Sequence, residues 1–159
     1  MSLTLGIDPG IARCGFGVVR REGSVFTCIE YGCIETPAGL AEEKRLDQLF
    51  CALSELLNKH AFARVGVEKL FFAKNAKTAF QVGQARGVIM LALARAGVSI
   101  LEMTPNEVKQ SVCGYGGADK KQMQQMVKLT LKLEAIPQPD DAADALAVAI
   151  TAATWKTFG

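Results

Sequence analysis

Apolar and polar positions along the chain alternate with two periods, one of strands and one of helices. Leu3 to Ile7 is a short apolar run stopped by Asp8-Pro9-Gly10. Pro and Gly together mark a turn, so Asp8 sits at the carboxyl end of a first strand. Cys14 to Arg21 and Ser24 to Glu35, rich in Val, Phe, Ile and Tyr, read as two further strands joined by a hairpin. Gly15 and Gly17 weaken the second strand but permit close backbone approach beside it. Glu42 to His60 carries Leu46, Leu49, Phe50, Leu53, Leu56 and Leu57 on one stripe, the pattern of an amphipathic helix. Arg64 to Leu70 predicts a fourth strand, Ala76 to Ala96 a long helix ended by Gly97, and Val98 to Met103 a fifth strand. Thr104-Pro105, with Glu107 three residues after the threonine, predicts a capped helix start. Gly114-Tyr115-Gly116-Gly117 breaks the chain before a basic helix, Asp119 to Leu133. Pro137 and Pro139 introduce a last helix, Asp140 to Trp155. Three meandering strands followed by alternating helices and strands imply an α/β fold with one mixed five-stranded sheet and helices on both faces. Sites in such sheets lie beyond the carboxyl ends of the strands.

Composition narrows the class. With 159 residues, half of them apolar, the chain is expected to form a single domain over 1–159. Its five cysteines show no CxxC or Cys/His ligand spacing, which argues against a disulfide scaffold or a structural zinc and for reduced thiols in the cytoplasm. The longest apolar run, Val88 to Ala94, is about a third of a membrane span, so no membrane partner is expected. The N-terminus has no basic segment of a signal peptide. The net charge of +2 hides an asymmetry: Arg64 to Lys132 holds eleven Lys/Arg against four Asp/Glu, and the rest of the chain is acidic. Affinity for phosphate depends on such local clustering.

Four carboxylates stand in unusual places. Asp8 ends the first strand, and Glu68 lies among apolar residues near the end of the fourth. Asp141 and Asp144 begin the last helix three residues apart, on one face. If the first and fourth strands are neighbours and the last helix crosses them, all four acids converge. Carboxylates forced together repel unless cations neutralise them. Hard oxygen ligands suit Mg²⁺, with Mn²⁺ as a substitute, and two such ions about 3.5–4 Å apart can activate a water and stabilise the leaving oxygen of a phosphodiester. Asp8, the most central, is expected to bridge them. Asp8 before Pro-Gly also fits a turn former, and Asp140 and Asp141 also fit a helix dipole. Asp140 competes with Asp141 as ligand, because i,i+4 serves as well as i,i+3. Other chemistries have little support. His60, the only histidine, is expected at the surface, Gly15-Phe16-Gly17 lacks the third glycine of a dinucleotide fingerprint, and no phosphate-binding P-loop occurs.

These residues, with others in matching order, resemble the RuvC-type Holliday junction resolvases of bacteria. The resemblance rests on Gly6-Ile7-Asp8-Pro9-Gly10, Val67-Glu68-x-x-Phe71, Ala73-Lys74-Asn75-Ala76, Gln84-Ala85-Arg86-Gly87, Val108-Lys109-Gln110, Asp119-Lys120 and Asp141-Ala142-Ala143-Asp144-Ala145-Leu146. It implies a ribonuclease H-like fold and a Mg²⁺-dependent homodimer that cuts opposed strands of a four-way DNA junction, leaving 5′-phosphate and 3′-hydroxyl ends. It also implies cooperation with the RuvA–RuvB branch-migration motor. It carries the catalytic and metal-binding roles onto Asp8, Glu68, Asp141 and Asp144, settling the choice against Asp140. Phe71 is nominated to stack on a base, with both Phe71 and Phe72 in the core as the alternative; Lys109 and Lys120 are nominated to bind phosphate, and Lys74, just after the phenylalanines, reads as part of a DNA-facing edge. Cys14 stands where the family usually has Thr, and Lys69 where Gln is common.

Lys121, Lys128 and Lys132, spaced seven and four apart, are expected to share one helix face in the general basic field. Ala79, Gly83 and Gly87 form a small-residue row that invites close approach, by the sheet or by a partner copy. The rival readings are another ribonuclease H-like nuclease, a non-catalytic junction-binding module, and an actin-like nucleotide-binding domain, for which the chain is short.

Overall fold

The strands pair into one five-stranded sheet in the computed structural model, which describes residues 2–69 and 76–156. Strands β1 (Ser2–Asp8), β2 (Arg13–Glu22) and β3 (Val25–Glu35) form an antiparallel meander. Strands β4 (Arg64–Glu68) and β5 (Ile100–Met103) add in parallel to give the order β3-β2-β1-β4-β5. Ile7 pairs with Val67, so Asp8 and Glu68 are the next residues at the same end of neighbouring strands. The helices are α1 (Glu42–Lys59), α2 (Ala76–Ala96), α3 (Pro105–Cys113), α4 (Lys120–Thr130) and α5 (Asp140–Thr154). Element order follows the hydrophobic pattern throughout.

Alternation along the strands divides the core between two faces. Leu5, Ile7, Val65 and Val67 meet Leu49 and Leu53 of α1 and Ile89 and Leu93 of α2. On the opposite face Val19 and Met103 meet α5 and the inner sides of α3 and α4, through Leu146, Val148, Val108 and Val127. The residues between Leu5 and Ile7, and between Val65 and Val67, are glycines. They leave a floor onto which α5 settles with buried Ala142, Ala145, Ala149 and Ala152. A β-carbon at Gly6 would overlap the Ala145 carbonyl and the Ala149 amide, and one at Gly15 the Asp141 carbonyl. The close approach anticipated at Gly15 is therefore made by α5.

Several local expectations are met. Thr104 and Glu107 form the capping box of α3: Glu107 N–H donates to Thr104 Oγ1 at 3.1 Å and Thr104 N–H to Glu107 Oε2 at 2.7 Å. The structure departs from the sequence reading in three places. The pairing of β2 and β3 shifts between Val18 and Val19, leaving Ile29 as an extra residue. As a bulge does, this turns the strand over, so Phe26 and Cys28 pack with α5 while Ile34 packs on the other face. Helix α4 ends at Thr130 and Lys132 adopts φ 53°, so Lys132 does not continue the face of Lys121 and Lys128. His60 is not a free surface residue. Its Nε2 lies 2.6 Å from Glu30 Oε1, and its ring meets Phe62 edge-on at 5.5 Å. The carboxylate that holds it is half a sheet away in sequence.

Because backbone atoms confront Gly6, nothing there can yield to a methyl group. Gly6→Ala is expected to destabilise the fold by about 3 kcal/mol or more, at the upper end of overpacking costs. Gly39→Ala, whose β-carbon meets nothing, should stay within about 0.5 kcal/mol. Urea unfolding of both variants checks this, and equal midpoints would refute the close-packed floor.

Candidate active site

Three separated stretches of chain deliver acids to one end of the sheet. Asp8 closes β1, and the loop after it is pinned. Thr36 Oγ1 donates to the Ile11 carbonyl at 2.5 Å, and Arg45 Nε of α1 donates to the same hydroxyl oxygen at 3.0 Å. Asp141 and Asp144 lie on the first turns of α5, where the contact with Gly15 brings that helix down on the strand ends. Carboxylate oxygens of Asp8, Asp141 and Asp144 lie within 4.8 Å of one another. Glu68 stands outside that trio but within hydrogen-bonding reach of Asp8.

Asp140 is not part of the cluster. It is exposed, accepts from Gln124 Nε2 at 3.3 Å and pairs with Lys120 Nζ at 3.1 Å. Of Asp140 and Asp141, only the second turns toward Asp8.

Burial, then repulsion from Glu68, Asp144 and Asp141, pushes the Asp8 carboxyl up to about 8. Burial and the Asp144 charge raise Glu68 to about 7, against the pull of Lys109 and Lys120. Burial also raises Asp144, opposed by Lys120. The two carboxyls of Asp8 and Glu68 are within hydrogen-bonding reach, so protonation of one affects the other. These are the effects expected of anions crowded out of water without a cation.

Lys109 of α3 and Lys120 of α4 line a cavity of about 200 Å³ together with Glu68 and Asp144. Lys120 Nζ lies 3.8 Å from Asp144 Oδ2. Two of the three lysines nominated from the sequence, Lys109 and Lys120, therefore stand beside the acids. Phe71 and Lys74 lie outside the described residues. Two thiols near the cluster were not weighed as part of it. Burial and the Asp8 charge push Cys14 up to about 12, and burial and Asp141 push Cys33 up to about 11. Both stay protonated at neutral pH, and the side chains that meet at the cluster, Asp8, Asp141 and Asp144, offer oxygen alone.

The family model for crossover junction endodeoxyribonuclease RuvC matches residues 4–152. The chain belongs to the RuvC family. It is 57% identical over 154 residues to the crossover junction endodeoxyribonuclease RuvC of Brevibacillus brevis, covering 97% of this chain and 93% of the relative. Its backbone matches that of Thermus thermophilus RuvC with a TM-score of 0.88 at 34% identity, over 95% of this chain and 93% of that one. The match to T. thermophilus RuvC in complex with Holliday junction substrate has a TM-score of 0.92 at 33% identity, over 96% and 93% of the two chains. The resemblance read from the motifs is borne out, as is the ribonuclease H-like fold. Residue by residue, the acids of this RuvC chain stand at three element ends that the fold brings together.

The raised carboxyls fix the sign of a pH effect. Between the unperturbed values of 3.8 and 4.5 and the folded values near 8 and 7, the folded metal-free protein holds protons that the unfolded chain has released. Its stability therefore falls as pH rises through that window. The melting temperature of the metal-free protein is expected to decline from pH 5 to pH 8. Asp8→Asn, which removes one charge from the cluster, should flatten the decline and melt above the parent at pH 8. Calorimetry at several pH values checks this, and a parent curve that is flat or rising excludes repulsion within the cluster.

Proposed function

We propose that Asp8, Glu68, Asp141 and Asp144 hold two Mg²⁺ ions, with Mn²⁺ able to substitute, and that a homodimer of this chain uses them to cut opposed strands of a four-way DNA junction. As a RuvC chain it is a crossover junction endodeoxyribonuclease, a nuclease of recombination and repair. The observation that carries the metal reading is the meeting of Asp8, Asp141 and Asp144 within 4.8 Å. That donor set is hard oxygen throughout, and it is destabilised by its own charge, which suits a hard divalent cation. Asp8, beside Glu68 and the α5 acids, would be the carboxylate most central to the bound ions.

When bound, the ions supply activation of the attacking water and neutralisation of the leaving oxygen. The chain's own groups do the rest. The P–O3′ bond breaks as the water oxygen bonds to phosphorus, which gives the 5′-phosphate and 3′-hydroxyl ends. Lys109 and Lys120 face the same cavity as Glu68 and Asp144 and hold the phosphate against the acids. The ion pair of Lys120 with Asp140 is solvent-exposed and weak, and the 3.8 Å contact with half-buried Asp144 is long, so both would yield to an incoming phosphate. Phe71 and Lys74 would add a stacked base and a further phosphate contact.

The dimer reading is supported by α2. Phe80 is 67% exposed and Leu91 51% exposed. Between them Gly83 and Gly87 face open space. This stripe suits an isologous contact with the same helix of a second copy, which would set two sites across a two-fold axis. The family resemblance adds cooperation with the RuvA–RuvB motor. The five free cysteines support a cytoplasmic setting.

A synthetic four-way junction with Mg²⁺ is expected to be cut into paired nicks, with EDTA abolishing cleavage and linear duplex of the same sequence left largely intact. Asp8→Asn should lose more than about 100-fold in cleavage, since even outer-shell changes at metal sites cost 10–100-fold. It should keep junction binding. Mg²⁺ should raise the melting temperature of the parent at pH 8 and move the Asp8→Asn protein little. Cleavage surviving in Asp8→Asn, or equal cutting of duplex and junction, defeats the reading.

The dimer has its own test. Gly87→Leu adds bulk only where the isolated chain has room, so the fold should persist. Sedimentation should show the mass falling from dimer to monomer, with paired cutting replaced by single nicks. An unchanged dimer removes α2 from the interface.

A further inference from the structure

We propose that the groove between Tyr115 and α4 holds an unpaired nucleobase of the junction strand beside the cut, making Tyr115 a positioning residue for the DNA. The inference rests on the nuclease reading above and adds a second contact site to it. The groove has a volume of about 580 Å³ and is mainly apolar, with Met126 and Ile136 among its walls. Tyr115 sits on the connection from α3 to α4 and is 47% exposed. Gly114, at φ 86°, turns the chain out of α3. A β-carbon on Gly117 would lie 3.5 and 3.6 Å from Cδ2 and Cε2 of the Tyr115 ring. The ring therefore rests against bare backbone at its edge and is not drawn into the core.

The polar rim is built for a flat, hydrogen-bonding, phosphate-tethered ligand. Gln122 accepts from the Asp119 amide at 2.9 Å, while Asp119 Oδ1 accepts from the Gln122 amide at 2.8 Å. This capping box fixes the rim at the start of α4. Exposed Gln125 offers an amide that both donates and accepts, as the edge of any base requires. Lys121 offers a cation for the adjoining phosphate.

Position ties the groove to the cleavage site. Gln124 lines the groove and donates to Asp140, the residue before Asp141. Lys120 reaches toward Asp144 while its neighbour Lys121 borders the groove. A strand whose scissile phosphate lies at Lys120 would run a neighbouring nucleotide toward the groove that Lys121 and Tyr115 border. The basic stretch from Arg64 to Lys132 favours a polyanion here over an apolar peptide.

The test uses the full chain in EDTA at fixed salt, with junctions carrying the fluorescent base 2-aminopurine at successive positions around the crossover. One position is expected to change its fluorescence on binding to the parent. The change should vanish in Tyr115→Ala and persist in Tyr115→Phe and Tyr115→Trp. Tyr115→Ala should bind about 5- to 150-fold more weakly, the range of a lost base–aromatic stack. Lys121→Ala should instead lower the salt slope by about one. Unchanged melting temperatures show that the variants fold, and Gln125→Ala provides a second probe response that does not touch the ring. If Tyr115→Ala binds within twofold of the parent and no probe position depends on residue 115, the groove proposal falls and a protein occupant becomes the better reading. If the parent itself neither binds nor cuts the junction, the nuclease reading falls first and takes the groove with it.

Discussion

The close seating of α5 on the sheet is the contact on which the rest depends. A helix normally packs with its side chains holding the axis well clear of its neighbour. Here glycines at 6, 15, 17 and 66 remove the strand side chains, and buried alanines remove the helix ones. Each substitution gives up apolar area, and the short separation compensates through dense dispersion contacts. The result is positional. Asp141 and Asp144 descend to the level of the β1 terminus, where Asp8 stands. Packing and acid–acid repulsion act on the same contact with opposite signs, and the fold tolerates the repulsion because packing on both sides of Gly6 and Gly17 is so tight.

The charge distribution follows from that geometry. Acids clustered at one end of a sheet create a field that burial strengthens, and Asp8 and Glu68 respond by holding protons. The chain places its compensating cations on α3 and α4, the two short helices flanking the mouth, not within the sheet. Lys109 and Lys120 lower the Glu68 value without closing it off. A buried lysine paired directly to each acid would neutralise the cluster and leave no vacancy for an external cation. Lysines at the rim leave the acids short of positive charge and, under the proposed function, would offer that charge to phosphate.

Much of this was legible in the sequence because the signals were local. Strand ends, the apolar stripe of α1 and the Thr104–Glu107 box depend on residues within a few positions of one another. Asp8 and Glu68 stood out because a turn and an apolar run framed them. The choice between Asp140 and Asp141 was not local. Helical spacing admits both, and what separates them is the contact of the Asp141 carbonyl with Gly15 and the capture of Asp140 by Lys120 and Gln124. The His60–Glu30 pair and the extra residue at Ile29 were hidden for the same reason, since each depends on a partner strand or helix that spacing along one segment cannot name.

Lys120 shows how a surface ion pair serves such a site. Its ammonium is 3.1 Å from Asp140 and 3.8 Å from Asp144, and more than half of its side chain is in solvent. Pairs of this kind add little stability, because water competes with both partners. What they contribute is placement. Asp140 lies outside the cluster and, at 3.1 Å against 3.8 Å for Asp144, is the nearer of the two carboxylates that hold the lysine over the cavity. Under the proposed function, a phosphate entering between Lys120 and the acids would replace these carboxylates as the lysine's partner, with the side chain already aimed. An arginine in a rigid bidentate pair would hold its carboxylate too firmly to make that exchange, and a lysine without Asp140 would start from many rotamers.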